Sequence, residues 1–447
     1  FFSGIRPGRL AGISVAALVV LLAAQLGPAL FLPDTIRPNA MVENPLYFEN
    51  NLWIRAATGF TGLLHYLKLV FWPSPLLFYY GYDTLPVTGW ADFSAVFSLL
   101  THLGLFTLSL VLFRRRHPVS YAILFYLVSI AMYSNILVPV VGIVGDRFTY
   151  VATLGVSVFM AWALFRVSGP KVPVQSVSGI HWTRLITLSL FVIIPYAALT
   201  IDRNKDWKDL ATLYKADIQK LPRSVKANTQ YAGNLLYNTY VSLQGENAIP
   251  PRGVTDEMIR HYKRSLEVMP DYYDALTGLG TVYSTLLGDQ KTAIRYFEAA
   301  SRTDSNNVAS FVNLAYAWGE LGNFPKSEVL YTKVLSMDST KVKAYFKLAE
   351  IAFARGETEK AIRLNLLATR FDPYTDVPYL NIGNYKLLSR DTLGAVEWYE
   401  KAAAKQPNHE LSMKLYMHYT QEGNPEKAAF YKKMADETKD VITLPRK

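Results

Sequence analysis

The sequence of 447 residues contains no cysteine, which excludes disulfide bonds, thiolate metal ligands and cysteine nucleophiles. Charged residues are also scarce, at 18% of the chain against about 25% in an ordinary soluble protein. We find no phosphate-binding P-loop, no dinucleotide-binding glycine motif, no zinc motif and no serine–histidine–aspartate arrangement. The sequence therefore gives no support to the common nucleotide-dependent, zinc-dependent or triad-based enzyme classes.

The charged residues that are present lie mostly in the second half of the chain. Residues 1–201 hold 12 of the 46 Lys and Arg and 6 of the 36 Asp and Glu, and residues 202–447 hold the rest. This division predicts an all-α protein with a transmembrane domain over 1–201 and a soluble domain over 202–447. The net charge of +10 resembles that of a nucleic-acid-binding protein, but +6 of it lies beside apolar segments. Membrane topology explains that share better, so we expect no nucleic-acid partner.

Long apolar runs predict the membrane-spanning helices. A run of about 20 residues crosses a hydrocarbon core of roughly 30 Å at about 1.5 Å per residue. Five runs approach this length, and we predict a span in each: Leu10–Leu32, Phe93–Phe113, Val119–Val141, Phe148–Phe165 and Leu185–Ile201.

Arginine and lysine clusters predict the orientation of these spans. Arg6 and Arg9 precede the first span, Arg114-Arg115-Arg116 follow the second, and Arg166, Lys171 and Arg184 lie between the last two. If all three clusters are cytoplasmic, the five spans alternate consistently and residues 202–447 face the other side. A further apolar stretch, residues 59–80, would break this alternation if it crossed. Because Trp72-Pro73-Ser74-Pro75 interrupts it, we predict an interfacial or re-entrant segment there.

A 34-residue period predicts the fold of the second half. Ser305, Ser339, Pro373 and Pro407 end successive units at this spacing, and small residues recur at two further positions in each unit. This pattern is typical of tetratricopeptide (TPR) repeats, in which pairs of helices pack closely at small residues. We predict a TPR α-solenoid of about six units.

Three equivalent positions on the predicted concave face could bind a peptide. They are occupied by Asn313, Lys347 and Asn381, two residues before the small residue of each first helix. Asparagine can hydrogen-bond an extended backbone, and lysine can bind a carboxylate or phosphate. The alternative is that all three are ordinary solvated side chains.

The outward loops of the membrane half contain the other candidate residues. Glu43, Asp83, Asp146 and Arg147 are charged residues between aromatic or apolar runs. The guanidinium fork of an arginine in a partly dry site matches phosphate oxygens, so Arg147 is a candidate phosphate ligand. The alternative for Arg147 is an internal salt bridge to Asp146 or to another loop carboxylate.

Local stretches around these residues resemble a known family. The stretches are Glu43-Asn44-Pro45-Leu46, Tyr79-Tyr80-Gly81-Tyr82-Asp83-Thr84-Leu85-Pro86, Gly145-Asp146-Arg147-Phe148-Thr149-Tyr150, and Asp206-Trp207 followed by Leu213-Tyr214. Their order, with repeats behind them, is similar to the transmembrane-and-TPR protein O-mannosyltransferases, which are GT-C glycosyltransferases. The resemblance covers most of the chain and implies a partial GT-C-like membrane domain.

The resemblance also implies a reaction. That family transfers a sugar from a polyprenyl-phosphate donor to Ser or Thr hydroxyls of proteins outside the cytosol, with catalytic acidic residues in its first outward loop. We expect that loop upstream of Phe1, so no catalytic residue is assigned here. Arg147, with Asp146, Glu43 and Asp83, is then a candidate for binding the donor phosphate. No cofactor is required by the sequence, although a divalent metal ion could assist the leaving phosphate.

A function from a different class also fits the sequence, namely a non-enzymatic, membrane-anchored TPR scaffold of an envelope complex. Either protein would bind acceptor or partner proteins on the concave face of the repeats. Residues 202–447 contain no Asn-x-Ser/Thr glycosylation sequence. This favours a bacterial inner membrane with periplasmic repeats, and the alternative is an endoplasmic reticulum membrane with lumenal repeats.

Overall fold

The computed structural model of the chain describes residues 40–140, 142–168, 181–242 and 252–439. These residues form helices, turns and loops, and no strand occurs among them. They divide into two compact units. The first extends to Leu235 and includes Lys263–Pro270, and the second contains Leu236–Tyr262 and the residues from Asp271 onward. The predicted span Leu10–Leu32, the cluster of Arg6 and Arg9, and Lys171 lie outside the described residues.

The helices of the first unit confirm the all-α prediction for the membrane half. Three helices among the described residues are long and apolar enough to cross a membrane: Phe93–Arg114, Asp146–Ser168 and Trp182–Asp206. They contain the predicted spans Phe93–Phe113, Phe148–Phe165 and Leu185–Ile201. The other helices are Ala40–Glu43, Pro45–Tyr47 (3₁₀), Leu52–Phe71, Pro118–Ala131 and Leu210–Ile218, and Asp146–Phe148 forms a 3₁₀ turn that leads into Thr149–Ser168.

The helix at the predicted span Val119–Val141 is shorter than the apolar run that predicted it. The helix covers only Pro118–Ala131, 14 residues, which corresponds to about 21 Å and is shorter than the hydrocarbon core. Beyond this helix, Asn135 adopts a left-handed backbone with φ of 60°, and its side chain binds backbone groups of the following segment. Apolar composition alone predicted one long run, whereas residues 134–140 form a loop held in part by asparagine hydrogen bonds.

The helix Leu52–Phe71 covers part of the segment that we predicted to be interfacial or re-entrant. It is not among the helices long and apolar enough to span. Asn51 caps its first turn by accepting a hydrogen bond from the Trp53 amide at 2.9 Å. Thr58 donates to the Thr88 carbonyl oxygen at 3.1 Å, and its hydroxyl accepts from the Thr88 amide at 2.9 Å. The helix is thus fixed to the loop that precedes Phe93–Arg114, and its interfacial position stays a prediction.

The second unit is built from the predicted helical hairpins. Within the described residues its helices from Tyr273 onward form five successive pairs, and a sixth pair, Val225–Ser242 with Arg252–Val268, lies where the two compact units divide. The helices are Tyr273–Thr281 continued by a π-helical turn Val282–Leu286, then Gln290–Thr303, Val308–Glu320, Phe324–Met337, Val342–Ala354, Thr358–Ala368, Val377–Leu388, Thr392–Lys405, His409–Glu422 and Pro425–Thr438.

Close packing explains why small residues recur in these pairs. A Cβ atom on Gly383 would lie 2.6 Å from ring atoms of Tyr399 in the second helix of the same pair. Ala315 and Ala349 occupy the equivalent positions of the two preceding pairs and are fully buried. Gly322 and Gly356, in the turns between paired helices, have φ of about 80°, which L side chains rarely adopt. The 34-residue period is therefore a packing requirement, and the TPR prediction is confirmed.

The boundary between the two compact units lies further along the chain than residues 201/202, where the density of charged residues changes. Ile218, Leu221, Ala227 and Tyr231 are buried in the same hydrophobic cluster as side chains of the membrane half such as Tyr66. The first helices after the last span therefore belong to the first unit. The predicted domain limits, 1–201 and 202–447, remain a prediction based on charge.

Candidate functional site

Two buried asparagines organise the loops that carry the candidate residues. Asn44 and Asn135 are 0% and 3% exposed, and the Asn44 side-chain amide donates to Asn135 Oδ1 at 2.8 Å and to the Val140 carbonyl at 2.9 Å. Asn135 in turn donates to the Ile143 carbonyl and accepts from the Val140 amide, both at 2.8 Å. Asn44 also accepts from the Leu46 amide at 3.0 Å. A buried non-helical segment needs such internal partners, because its polar groups cannot reach water.

Two carboxylates hold consecutive backbone amides of the loop after Leu52–Phe71. Asp146 Oδ2 accepts from the Leu77 amide and Asp217 Oδ2 accepts from the Phe78 amide, each at 2.7 Å. Asp146 opens the helix that leads into the membrane, whereas Asp217 belongs to the short helix Leu210–Ile218. The loop that carries Tyr79 and Tyr80 is therefore tied to two elements distant in sequence.

A buried ion pair fixes Asp217. Arg203 is 9% exposed and Asp217 is 0% exposed. The guanidinium makes two hydrogen bonds to the Asp217 carboxylate, at 2.6 and 2.8 Å, and one to Asp206 at 2.8 Å. Bidentate charge-assisted hydrogen bonds of this kind are among the strongest in proteins. The pair connects the end of the helix Trp182–Asp206 to the helix that follows it.

Glu43 and Asp83 each bind a cation from the beginning of the Val225–Ser242 helix region. Lys226 Nζ lies 2.9 Å from Glu43 Oε1 and 4.6 Å from the ring centre of Tyr79. Arg223 Nε lies 3.0 Å from Asp83 Oδ2 at an exposed position. The second oxygen of Glu43, Oε2, is buried and has no hydrogen-bond partner in the described part of the chain. The structure thus places both Glu43 and Asp83 in the first unit, and each is paired with a cation.

Arg147 is arranged differently from the acidic candidates. Its side chain is exposed, and its guanidinium carbon lies 5.1 Å from the ring centre of Phe148, which stacks on Tyr133 at 4.3 Å. Among the described residues no carboxylate lies within 4.0 Å of Arg147. The salt bridge between Asp146 and Arg147 that we considered from the sequence is therefore not formed, because Asp146 is turned toward the Leu77 amide.

The three TPR candidates occupy first helices of successive pairs and are half-buried. Asn381 donates to Asn365 Oδ1 at 3.0 Å, and Lys347 Nζ lies 2.8 Å from Glu350 Oε2. The structure gives Asn313 no hydrogen bond within the described residues. Two of the three side chains therefore make contacts within the solenoid, and the third, Asn313, makes no hydrogen bond to the described residues.

Sequence reasoning missed the residues that position the loops. Arg203, Asp217 and Lys226 lie far along the chain from the loops that they fix, and only the Asp206-Trp207 stretch pointed to this region. No group of three or more His, Asp or Glu side chains that could hold a metal ion occurs in the described ranges. The idea of an assisting divalent metal therefore stays a prediction without ligands assigned in these ranges.

Comparison with known proteins shows weak similarity to one group of enzymes. No family model matches the chain. Mouse protein O-mannosyl-transferase TMTC3 is 23% identical over 253 residues, which is 54% of this chain and 25% of that protein. Protein O-mannosyl-transferase Tmtc3 of Drosophila melanogaster is 23% identical over 324 residues, 66% of this chain and 32% of the relative. The chain spans about a third or less of the length of the curated relatives it matches.

Solved structures similar to the chain are TPR proteins. YrrB, described as a TPR protein with an unusual peptide-binding site, is 19% identical with a TM-score of 0.35, covering 45% of this chain and 96% of that one. A tetratricopeptide repeat protein from Parabacteroides merdae is 16% identical with a TM-score of 0.39, covering 57% and 95%. The expected resemblance to the O-mannosyltransferases is thus supported at the level of weak sequence similarity, and a bacterial origin stays a prediction.

Proposed function

We propose that this chain is part of a membrane glycosyltransferase that transfers a sugar from a polyprenyl-phosphate donor to Ser or Thr hydroxyls of proteins on the non-cytoplasmic side. The similarity to protein O-mannosyl-transferases supports the reaction class. The observation that carries a role for the described residues is the state of Arg147. It is an exposed arginine without a carboxylate partner among the described residues, at the beginning of a candidate membrane span.

In this proposal Arg147 binds the donor phosphate, and the acidic candidates have a different role. A guanidinium at the membrane surface stabilises the negative charge that grows on the leaving lipid phosphate. Asp146, Glu43 and Asp83 are each paired with an amide or a cation, so we assign them to positioning the loops. The base that deprotonates the acceptor hydroxyl is not assigned to any residue of this chain.

Replacement of Arg147 tests the donor contact. We expect Arg147→Ala to lower the transfer rate about 10²-fold or more, the scale of losing one preorganised charge stabiliser. Arg147→Lys should recover only part of the transfer rate, because a lysine cannot form two parallel hydrogen bonds to the phosphate as an arginine does. The measurement is sugar transfer from purified lipid-linked donor to an acceptor protein by the full-length enzyme in membranes.

A matched control separates a phosphate contact from general loss of surface charge. Lys205 lies near the outer end of the last span and pairs with Asp202 at 3.1 Å, with both side chains exposed. Lys205→Ala should leave transfer unchanged. Near-normal turnover and donor affinity in Arg147→Ala would remove Arg147 from the site. Absence of transfer by the wild-type full-length protein with every lipid-linked donor would instead favour the membrane-anchored scaffold.

We further propose that the repeats bind the acceptor protein through the face that carries Asn313, Lys347 and Asn381. Asn313→Ala combined with Lys347→Ala should raise the KM for the acceptor about tenfold and leave kcat unchanged, since removal of uniform binding acts on KM alone. Lys401, which lies 3.9 Å over the Trp398 ring on a second helix, provides the control through Lys401→Ala. An unchanged KM in the double variant would show that the acceptor binds elsewhere.

A further inference from the structure

Four arginines gather at the end of the membrane helices opposite to Arg147. Arg114, Arg115 and Arg116 form the turn after Phe93–Arg114, and Arg166 lies near the end of Thr149–Ser168. All four side chains are exposed. The edge-to-face contact between His117 and Trp162, with ring centres 5.0 Å apart, holds the turn beside the end of that second helix. The four charges therefore face the same membrane boundary.

No acidic side chain compensates this cluster. Among the described residues none of the four arginines has a carboxylate within 4.0 Å. The sequence has no Asp or Glu between Asp92 and Asp146, and none between Asp146 and Asp202. Those three aspartates lie at the other ends of their helices. Within the described part of the chain, the cluster is consequently a local excess of positive charge without an internal counter-ion.

An apolar cavity opens along the same helices. It has a volume of about 270 Å³, and its wall is formed by side chains of the helices Leu52–Phe71, Phe93–Arg114, Pro118–Ala131 and Thr149–Ser168. Leu108, Val119 and Phe159 belong to the part of the wall nearest in sequence to the arginines. Leu108 is six residues before Arg114, about 9 Å along a helix, and Val119 is three residues after Arg116. Almost all of the wall is aliphatic or aromatic.

We propose that this basic turn and the adjoining cavity together bind one anionic phospholipid molecule. The phosphate would lie against the guanidinium groups of Arg114, Arg115 and Arg166, whose forks match phosphate oxygens. One acyl chain would occupy the apolar cavity. Charge complementarity selects an anionic headgroup, and the apolar cavity selects a lipid over free phosphate. Arg147 and Arg166 are 19 residues apart on one continuous helical segment, about 28 Å, so this lipid is separate from the sugar donor.

Native mass spectrometry of the purified full chain can test this proposal. The probes are palmitoyl-oleoyl phosphatidylglycerol and phosphatidylcholine, which share acyl chains and differ in headgroup charge. The wild-type protein should retain the anionic lipid about tenfold better than the zwitterionic one, as expected for several arginines acting on one phosphate. Inorganic phosphate in excess should not displace it. Equal retention of the two lipids, or displacement by phosphate alone, would overturn the proposal.

Two variants probe the two halves of the site. The triple variant Arg114→Gln, Arg115→Gln and Arg166→Gln should reduce the preference for the anionic over the zwitterionic lipid to about twofold or less. It keeps Arg116 and Arg184, so that the orientation of the protein in the membrane is preserved. Ile123→Trp should fill the cavity and lower the retention of both lipids about threefold while leaving their ratio unchanged.

A control variant and a topology check complete the design. Lys205→Gln, at the opposite end of a span, should behave like the wild type. Reaction of a cysteine introduced by Ser301→Cys with an impermeant reagent verifies that the triple variant is inserted in the same orientation. An unchanged preference in a correctly inserted triple variant would show that the arginines do not bind the headgroup, and full retention by Ile123→Trp would place the acyl chain elsewhere.

Discussion

The buried pair of Arg203 and Asp217 offers the sharpest test of how the loops of the first unit are held. Asp217→Asn removes the negative charge without changing the shape of the side chain. Arg203 would remain 9% exposed, with Asp206 as its only close carboxylate among the described residues. Breaking a buried pair by removing one partner costs about 3–5 kcal/mol. Because Asp206 compensates part of the charge and asparagine can still accept from the Phe78 amide, we expect a loss of about 2–4 kcal/mol.

The assay is thermal unfolding of the purified full chain in lipid nanodiscs, followed by tryptophan fluorescence. At about 2–4 °C per kcal/mol for a unit of this size, the midpoint should fall by roughly 4–16 °C. Lys220, which is 3.6 Å from the same carboxylate and 37% exposed, is the matched control, and Lys220→Ala should change the midpoint by less than about 2 °C.

A double replacement distinguishes the loss of the attraction between Arg203 and Asp217 from the cost of leaving Arg203 buried without its partner. Arg203→Met together with Asp217→Leu leaves no buried charge unpaired, so it should recover much of the stability lost in Asp217→Asn. A double variant that is less stable than Asp217→Asn would mean that the ion pair itself, and its bond to the loop, supplies most of the stabilisation. Normal stability of Asp217→Asn would refute the reasoning altogether, because it would show that Arg203 reaches water in solution.

Three further expectations concern the repeats. Gly383→Trp should destabilise the second unit by about 3 kcal/mol or more, because even a Cβ atom meets the facing aromatic ring, and hydrogen exchange should report the loss. Burial raises the pKa of Glu400, but hydrogen bonds and charge from Lys427 and neighbouring tyrosines outweigh it and hold the pKa below its ordinary value. Glu400→Gln should therefore cost about 1–2 kcal/mol at neutral pH; in acid unfolding curves the difference should begin to shrink near the unfolded-state pKa of about 4.3 and vanish only below the lowered pKa of the folded state. Residues 202–447, which charge alone predicts to be a soluble domain, should associate in sedimentation, because this fragment exposes Ile218 and Leu221, and a fragment of residues 271–447, which lacks both, should associate less.

The repeats could be predicted from the sequence because their determinants are local and periodic. Each helix packs mainly on its neighbours along the chain, so a small residue every 34 positions reports a contact that recurs in every pair. The same locality fixes the turns, where Gly322 and Gly356 take a backbone that other residues avoid. The three long apolar helices were predictable for a similar reason, since each is coded by one uninterrupted apolar run of the sequence.

The candidate site could be predicted only in part. The loop stretches around Glu43, Asp83 and Asp146 were recognised, but their partners were not, because Phe78 and Asp217 are 139 residues apart. A sequence gives no signal for such pairing when the partner is a single aspartate in a short amphipathic helix. The same limit applies to the loop after Pro118–Ala131, where Asn44 binds Asn135, 91 residues away, and the Val140 carbonyl.

The hydrogen bonds that hold the loops also determine the surroundings of Arg147. Asn44 binds Asn135 and the Val140 carbonyl, and Asn135 binds the Ile143 carbonyl, so the segment that leads to Arg147 is fixed by side chains on both flanks. Asp146 is turned to the Leu77 amide, which leaves the neighbouring guanidinium without its nearest carboxylate. An arginine that is positioned but not neutralised has the properties that an anion site at a membrane surface requires. In the function that we propose, these buried polar contacts keep the charge of Arg147 available for the donor phosphate.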